Sequence, residues 1–270
     1  MKIAVIVTTY NRPDALKLVL AGYAAQSERD FELIVADDGS TPDTRDAIHA
    51  FSIAANRAVT HVWQEDDGFR AAAIRNRAVA ATDADYLLFT DGDCVPTVGF
   101  LDAHRSLAER GWFVAGNRVL LNEAFSHDVT ARQLPIFAWS AAQWREIKQA
   151  GGVNRLSPLR RIPLPGVLRK LGGRRWQKVR TCNFSLFRTD FAAVNGFDES
   201  YTGWGLEDSD LAIRLIRAGV RHKSARFAAP VFHLWHREFD RRQLPENADR
   251  LATVLASDRV TAARGLDQYR

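Results

Sequence analysis

The chain has 270 residues, 46% of them apolar, with a formal charge of +5 and two cysteines. That is enough apolar sequence to bury one sizeable core, while two cysteines without metal-type spacing rule out a disulfide scaffold and give a redox role little support. The apolar stretch from Met1 reaches polar Tyr10-Asn11-Arg12 too soon for a signal peptide, and no later run is long enough to span a bilayer, so the expected location is cytoplasmic, free or peripheral at the inner face of the cytoplasmic membrane.

Ile3 to Thr8 is a β-branched run that reads as a strand, and Pro13 to Ala25 follows with Leu16, Val19, Leu20 and Tyr23 at helical spacing, Asn11 as cap and Pro13 in the first turn. Phe31 to Ala36 reads as a second strand ending in Asp37-Asp38-Gly39-Ser40, with Ser40 or Thr41 available to cap a helix through Phe51. Val59 to Gln64 is the third strand, a helix runs from Phe69 to Ala81, and Tyr86 to Thr90 is the fourth strand. This alternation predicts an α/β fold, a Rossmann-like and mostly parallel sheet flanked by helices. Ligands bind such open sheets outside the carboxyl ends of the strands, where Thr8, Asp38 and Asp91 fall.

The second half is less regular. Leu134, Phe137, Ala138, Ala141 and Trp144 keep helical register from Ala131 to Ala150. Between Arg155 and Arg180 stand nine Lys or Arg residues, Lys178 among them, and no Asp or Glu, interleaved with Leu, Val, Ile and Trp176 and interrupted by Pro158, Pro163 and Pro165. Such a run suits an anionic membrane surface, a phosphorylated lipid carrier, a nucleic-acid patch or a basic loop over an active site. Thr181 to Phe187 reads as a strand, Glu207 to Ala218 as a helix stopped by Gly219, Arg226 to Trp235 as a strand and Leu244 to Ala263 as a terminal helix.

Asp91-Gly92-Asp93 places two carboxylates on a tight turn at the end of the fourth strand. Hard divalent ions such as Mn2+ or Mg2+ take oxygen ligands, and a site with one or two carboxylates leaves coordination positions open for substrate phosphates. A solvated turn is the other reading. Glu207 and Asp208 fall in the first turn of their helix, near the positive end of its dipole. His233 and His236 would face opposite sides of a continuous strand.

Taken in order, Thr8-Thr9-Tyr10-Asn11-Arg12, Asp37-Asp38-Gly39-Ser40, Ala73-Ile74-Arg75-Asn76, Asp91-Gly92-Asp93 and Trp204-Gly205-Leu206-Glu207-Asp208 resemble the motifs of family 2, GT-A-fold glycosyltransferases. Asn195-Gly196-Phe197-Asp198 through Trp204 to Asp210 is similar to the C-terminal catalytic region of β-1,4-galactosyltransferases. The resemblance covers the chain outside an insert at about 131–178. It implies one GT-A domain over 1–270, with a nucleotide-binding half (1–95), a smaller acceptor and catalytic half (96–240) carrying the basic insert, and a C-terminal helix (241–270).

The implied activity is inverting, metal-dependent transfer from a nucleotide-sugar, commonly a UDP-sugar, to a hydroxyl of a glycan or lipid-linked acceptor in surface polysaccharide or lipopolysaccharide synthesis. On the same resemblance Thr8, Tyr10 and Arg12 line the nucleotide site, Asp38 accepts from uracil or ribose, and Arg75 stands on the diphosphate side or pairs with an Asp. Asp91, with Gly92 beside it, faces the ribose or donor sugar, and Asn183 and Trp204 contact that sugar. Asp93 ligates Mn2+ or Mg2+, with His236, or else His233, as the further ligand. Asp208 is the general base and Glu207 binds acceptor or donor sugar.

Two other functions fit parts of the sequence. A sugar-nucleotide nucleotidyltransferase would share the sheet and the paired acids, but it needs a Gly-rich phosphate loop near the N-terminus, and Thr8 to Pro13 contains no glycine. The same absence sets dinucleotide oxidoreduction aside. A nucleic-acid-binding protein would use the basic run and leave Asp91, Asp93, Glu207 and Asp208 unexplained, since clustered acids repel phosphate; no nucleic-acid partner is expected.

Overall fold

The structure, a computed structural model, describes residues 1–177, 179–237 and 240–269; Lys178 of the basic run lies outside the described residues. Strand β1 (Ile3–Thr9) is buried on both faces and divides its side chains between two cores. Ile3, Val5 and Val7 pack with Leu16, Val19 and Leu20 of helix α1 (Pro13–Ala24). Ala4 and Ile6 pack on the opposite face, as the period-2 geometry of a strand requires. The chain continues through β2 (Phe31–Asp37), α2 (Pro42–Ala54), β3 (Thr60–Trp63), α3 (Ala71–Ala80) and β4 (Tyr86–Asp91). Strands β3, β2, β1 and β4 are neighbours in that order and all parallel. In this register Thr8 stands opposite both Ala36 and Asp91, and Thr9 opposite Asp37, so the polar ends of three strands share one edge.

Beyond β4 the sheet is mixed. The short elements β5 (Cys94–Pro96), α4 (Phe100–Leu107), β6 (Trp112–Ala115) and β7 (Arg118–Leu120) precede α5 (Glu123–Ala131), α6 (Ala141–Gln149) and α7 (Gly166–Arg169). Then come β8 (Asn183–Phe187), α8 (Arg188–Ala193), α9 (Glu207–Arg217), β9 (Arg221–Ser224), β10 (Val231–His233) and α10 (Leu244–Ala256). Strand β8 runs antiparallel to β4 and β6, and β9 closes the seven-stranded sheet beside β6. A second sheet, in the order β5-β10-β7, sets His233 opposite Cys94 and therefore next to Asp93. Among the described residues no helix is long and apolar enough to cross a membrane.

Several expected boundaries shift. Of the helix expected over Ala131–Ala150 only α6 forms: α5 ends at Ala131, Pro135 lacks an N–H and leads into a 3-10 turn at Ile136–Ala138, and Ser140 opens α6 with a capping box to Gln143. The strand expected over Arg226–Trp235 shrinks to β10, since Phe227 adopts a left-handed φ of 65° and Pro230 precedes the pairing residues. The terminal helix stops at Ala256; Ser257 is extended, and the chain returns so that Ala262 N–H donates to Val194 (3.0 Å) before a 3-10 turn at Leu266–Tyr269. Asn11 does not cap α1, whose N-cap is Arg12. Its side chain instead accepts from Thr41 N–H (2.8 Å), and its own N–H donates to Ser40 Oγ (2.8 Å).

Candidate active site

The carboxyl ends of β1, β2 and β4 open on a cleft of about 740 Å³ that also takes in the start of α9 and the end of β10. At its base Arg75, on α3 and only 4% exposed, joins elements far apart in sequence. Its Nε donates to Thr8 Oγ1 (3.0 Å), Nη1 to Glu207 Oε1 (3.1 Å) and Nη2 to Asp91 Oδ1 (3.2 Å). Burial works against the Arg75 charge, but Asp91 and Glu207 more than offset it, and its pKa is raised. The neighbouring Asn76 is equally structural: its amide donates to Phe197 O (2.9 Å) and accepts from Phe197 N–H (3.0 Å), locking the Asn195-Gly196-Phe197-Asp198 segment to α3.

Gly92 follows Asp91 because nothing larger fits. A Cβ there would stand 2.8 Å from Thr9 Oγ1, while Gly92 N–H donates to Thr8 O (2.7 Å). At the opposite wall Gly203, at φ 72°, lies so close to Gln243 that a Cβ would meet its Oε1 at 2.1 Å, and Leu206 takes the left-handed N-cap position at φ 78°. This compressed turn, braced by Asn247 to Thr202 O (3.0 Å) and Gly205 O (3.1 Å), aims Glu207 and Asp208 into the cleft. Thr181 Oγ1 donates to Asp208 Oδ1 (2.6 Å).

The carboxylates are strongly perturbed. Burial pushes Asp91 up to about 6 against the pull of Arg75, with Asp93 and Asp208 adding to the rise. Burial and then Asp208 push Glu207 up to about 7. Asp38 is raised by burial to about 6 although it accepts from Arg70 N–H (2.7 Å) and from Gln64.

Asp93 lies between two imidazoles. His233 Nε2 is 3.7 Å from Oδ1 and His236 Nε2 is 3.5 Å from Oδ2. A continuous strand would send the two imidazoles to opposite sides, but β10 ends at His233, the chain turns and His236 comes back to the same side, so both face Asp93. Burial lowers the His233 pKa, which keeps its imidazole neutral.

Thr8, Tyr10, Arg12, Asp38, Arg75, Asp91, Gly92, Asp93, Trp204, Glu207, Asp208, His233 and His236 all line this cleft. Tyr10 donates to Asp66 (2.9 Å), Arg12 pairs with Asp14 (3.1 Å), and the Arg241 guanidinium covers one face of Trp204 at 4.9 Å. The structure does not bring Asn183 to the cleft. Its amide donates to Ala229 O (2.7 Å) and Asn117 O (3.3 Å), and its Oδ1 meets His104 Nε2 (3.0 Å), so strand β8 turns it into the core. Thr181 and Cys182, just before that strand, line the cleft instead.

Residues 4–189 match a family model described as "Glycosyl transferase family 2". The chain belongs to this glycosyltransferase family. Residues 170–237 match a second model, "N-terminal domain of galactosyltransferase". Among curated relatives, validoxylamine A glucosyltransferase of Streptomyces hygroscopicus subsp. jinggangensis is 30% identical over 81% of this chain and 52% of its own length. Chondroitin synthase of Escherichia coli is 26% identical over 82% of this chain and 33% of its own. The succinoglycan biosynthesis protein ExoU of Rhizobium meliloti is 28% identical over 96% of this chain and 71% of its own. The chain spans about half the length of the first of these relatives.

Solved structures show the GT-A fold. S. aureus TarS in complex with UDP superposes with a TM-score of 0.65 at 16% identity, over 100% of this chain and 68% of that one. Mannosyltransferase PcManGT from Pyrobaculum calidifontis, in complex with GDP-Man and Mn2+, gives 0.59 at 17% identity, over 95% and 62%.

Within this family 2 chain, Trp176 and Arg180 of the basic run and Thr181 also line the cleft, as does Arg118, to which nothing in the sequence points. Arg118 sits on a three-residue strand, too short for any periodic signal, and the others stand in irregular chain at the end of the basic run.

Proposed function

We propose that the chain is an inverting, metal-dependent glycosyltransferase that moves a sugar from a nucleotide-sugar, best a UDP-sugar, to an acceptor hydroxyl. The observation that carries this reading is the convergence of Asp91, Asp93, Glu207 and Asp208, from opposite ends of the chain, in one cleft at the strand ends. Tyr10, Arg12 and Asp38 form the nucleotide end of that cleft, and Trp204 offers an apolar face to a pyranose.

Asp93, His233 and His236 fit a divalent cation. His233 Nε2 stands 3.7 Å from Asp93 Oδ1 and His236 Nε2 3.5 Å from Asp93 Oδ2, each close to the separation of two ligands about 2.1 Å from one ion. The tightest group, with ligand atoms all within 4.8 Å of one another, is Asp93, Cys94 and His233, so His236 would complete the site from the other carboxylate oxygen, and burial favours the neutral His233 imidazole. A carboxylate with two imidazoles favours Mn2+ over Mg2+. Bound there, the ion supplies Lewis-acid neutralisation of the charge that builds on the departing nucleotide. Asp208, oriented by the Thr181 hydroxyl, takes the proton of the attacking acceptor hydroxyl. Glu207, near neutrality and fixed by Arg75, exchanges hydrogen bonds with sugar hydroxyls in either protonation state. Attack opposite the nucleotide inverts the anomeric centre, so an α-linked donor yields a β-glycoside.

Polysaccharide synthesis is supported by relatives named as chondroitin synthase and a succinoglycan biosynthesis protein. Contact with an anionic membrane is supported by the basic insert, where Ile162 (42%), Val167 (76%), Leu168 (49%) and Leu171 (69%) stand exposed among Arg160, Arg161, Arg174 and Arg175. Replacing Val167 and Leu171 by Ser should abolish sedimentation with phosphatidylglycerol vesicles; unchanged sedimentation contradicts the contact.

Incubation with UDP-glucose, UDP-galactose and UDP-N-acetylglucosamine plus Mn2+, followed by proton NMR of the released sugar, tests the reaction itself. Initial release of the β-anomer from one donor is expected. Initial release of the α-anomer would refute inversion, and no turnover of any donor would count against UDP-sugars as the class.

A further inference from the structure

A second cavity of about 540 Å³ opens beside the acid-lined cleft, and the two share Arg118, Gln177, Arg180 and Cys182. The two are opposite in charge. Arg118, Arg155, Arg180 and Arg226 line the second cavity, and among the described residues its wall carries no carboxylate. Several other inner cations of the fold are matched with acids: Arg75 with Asp91 and Glu207, Lys223 and Lys170 with Glu109, Arg214 with Asp210. Here Arg155 reaches only towards the Arg118 carbonyl (3.5 Å), Arg180 donates to Val179 O (2.6 Å) and the Arg226 guanidinium lies over the Phe227 ring at 4.5 Å. Arg118, on the wall shared with the cleft, is drawn to Asp91 and Asp93 there. Arg155, Arg180 and Arg226 have no carboxylate in the cavity wall among the described residues, and an oxyanion seated there would be held through bidentate, charge-assisted hydrogen bonds.

His222 adds a neutral polar group to the same wall. Burial lowers its pKa to about 4, its ring stacks on Phe113 at 5.4 Å, and its Nε2 is buried without a hydrogen-bond partner among the described residues.

We propose that this cavity seats a phosphate ester group of the acceptor. The assignment rests on the glycosyltransferase reading and deepens it by naming the acceptor's class. Arg180 forms part of both cavities, and the next residue, Thr181, is hydrogen-bonded to Asp208, so an acceptor anchored by its phosphate among the arginines extends its nearest sugar hydroxyl towards the base.

Arg155 and Arg226 are exposed, so their replacement spares the core. The test is calorimetric titration of glucose 1-phosphate, with uncharged methyl α-glucoside as control, into the full chain saturated with UDP and Mn2+. Saturable binding of the phosphate ester alone is expected, weakened about tenfold by Arg155→Ser and by Arg226→Ser, with UDP affinity unchanged. UDP binding without glucose 1-phosphate binding, equal binding of the control, or indifference to both substitutions overturns the proposal and leaves the donor reading standing. Absence of UDP binding overturns the donor reading and the acceptor assignment with it. Vesicle sedimentation separates the two sources of phosphate: if the double variant loses phosphatidylglycerol binding while the wild type ignores glucose 1-phosphate, these arginines serve a lipid surface and the proposal fails.

Discussion

The acid-lined cleft and the basic segment next to it handle charge in opposite ways. At the base of the cleft Arg75 is fixed by partners from distant elements, Thr8, Asp91 and Glu207. Low solvent exposure then moves the carboxylate pKa values by amounts that suit acid–base work near neutrality. In the segment from Arg155 to Arg180 the guanidinium groups mostly hold backbone carbonyls. Arg161 reaches Val98 O, and Arg169 reaches Ser224 O (3.0 Å) and Arg226 O (2.9 Å). Charge that is satisfied inside the protein preorganises a reaction; charge left without acids is available to an incoming anion.

The largest effect that could break this contrast is on the rate. Asp208→Asn keeps the shape and the Thr181 contact but removes the basicity, so turnover should fall by about 10²–10⁴ with UDP affinity retained. A loss under about tenfold would place the base elsewhere.

Arg75→Ala comes next. It leaves Glu207 buried and Asp91 half-buried without their cation, and urea unfolding should show a loss of about 2–4 kcal/mol, solvent screening the Asp91 part. Little change in stability would mean that the two carboxyls simply take up protons and that the clamp contributes only to donor binding.

Asn183→Ala sharpens the boundary between site and scaffold. It deprives the Ala229 and Asn117 carbonyls and His104 of their partner, so about 1–3 kcal/mol of stability should go while UDP-sugar affinity stays. Weakened donor binding in a protein of unchanged stability would return Asn183 to the donor site.

The smallest effect is on pH dependence without metal. Asp38 and Asp91, raised by burial from 3.8 to about 6, and Glu207, raised from 4.5 to about 7, hold protons in the folded protein that the unfolded chain has already released. Their contribution to stability is therefore present below about pH 4 and is lost as pH rises through about 6 to 7. Thermal melts in EDTA should show Glu207→Gln flattening the upper part of that decline; an unaltered profile would contradict the Glu207 shift. In the same window rising pH ionises Asp91 and Glu207, so metal-dependent donor binding should strengthen as stability declines.

How much of this was legible in the sequence follows the same division. Strands β1, β2 and β4 are apolar runs buried on both faces, and parallel pairing carries their polar ends, Thr8, Asp37 and Asp91, to one edge without help from the loops. The acids of α9 were equally readable, because a Gly-rich turn followed by a patterned helix fixes where its first turn points. Asn183 was misplaced because the strand begins at that residue and its alternation sends the side chain inward, leaving Thr181 two positions earlier at the cleft. The apolar run suggests a strand through Trp235, in which the two histidines would diverge, whereas pairing ends at His233 and lets them converge. Arg118 and Arg226 meet Arg155 and Arg180 only through tertiary contacts around a cavity, and neither lies in a patterned element long enough to point towards it.

The central claim is a metal-dependent nucleotide site built on Asp93. Calorimetric titration of UDP into wild type and Asp93→Ala, each with and without Mn2+, tests it most directly. The account predicts UDP binding that requires Mn2+ in the wild type and is lost in Asp93→Ala; equal UDP binding by both proteins, or binding indifferent to Mn2+, would contradict it.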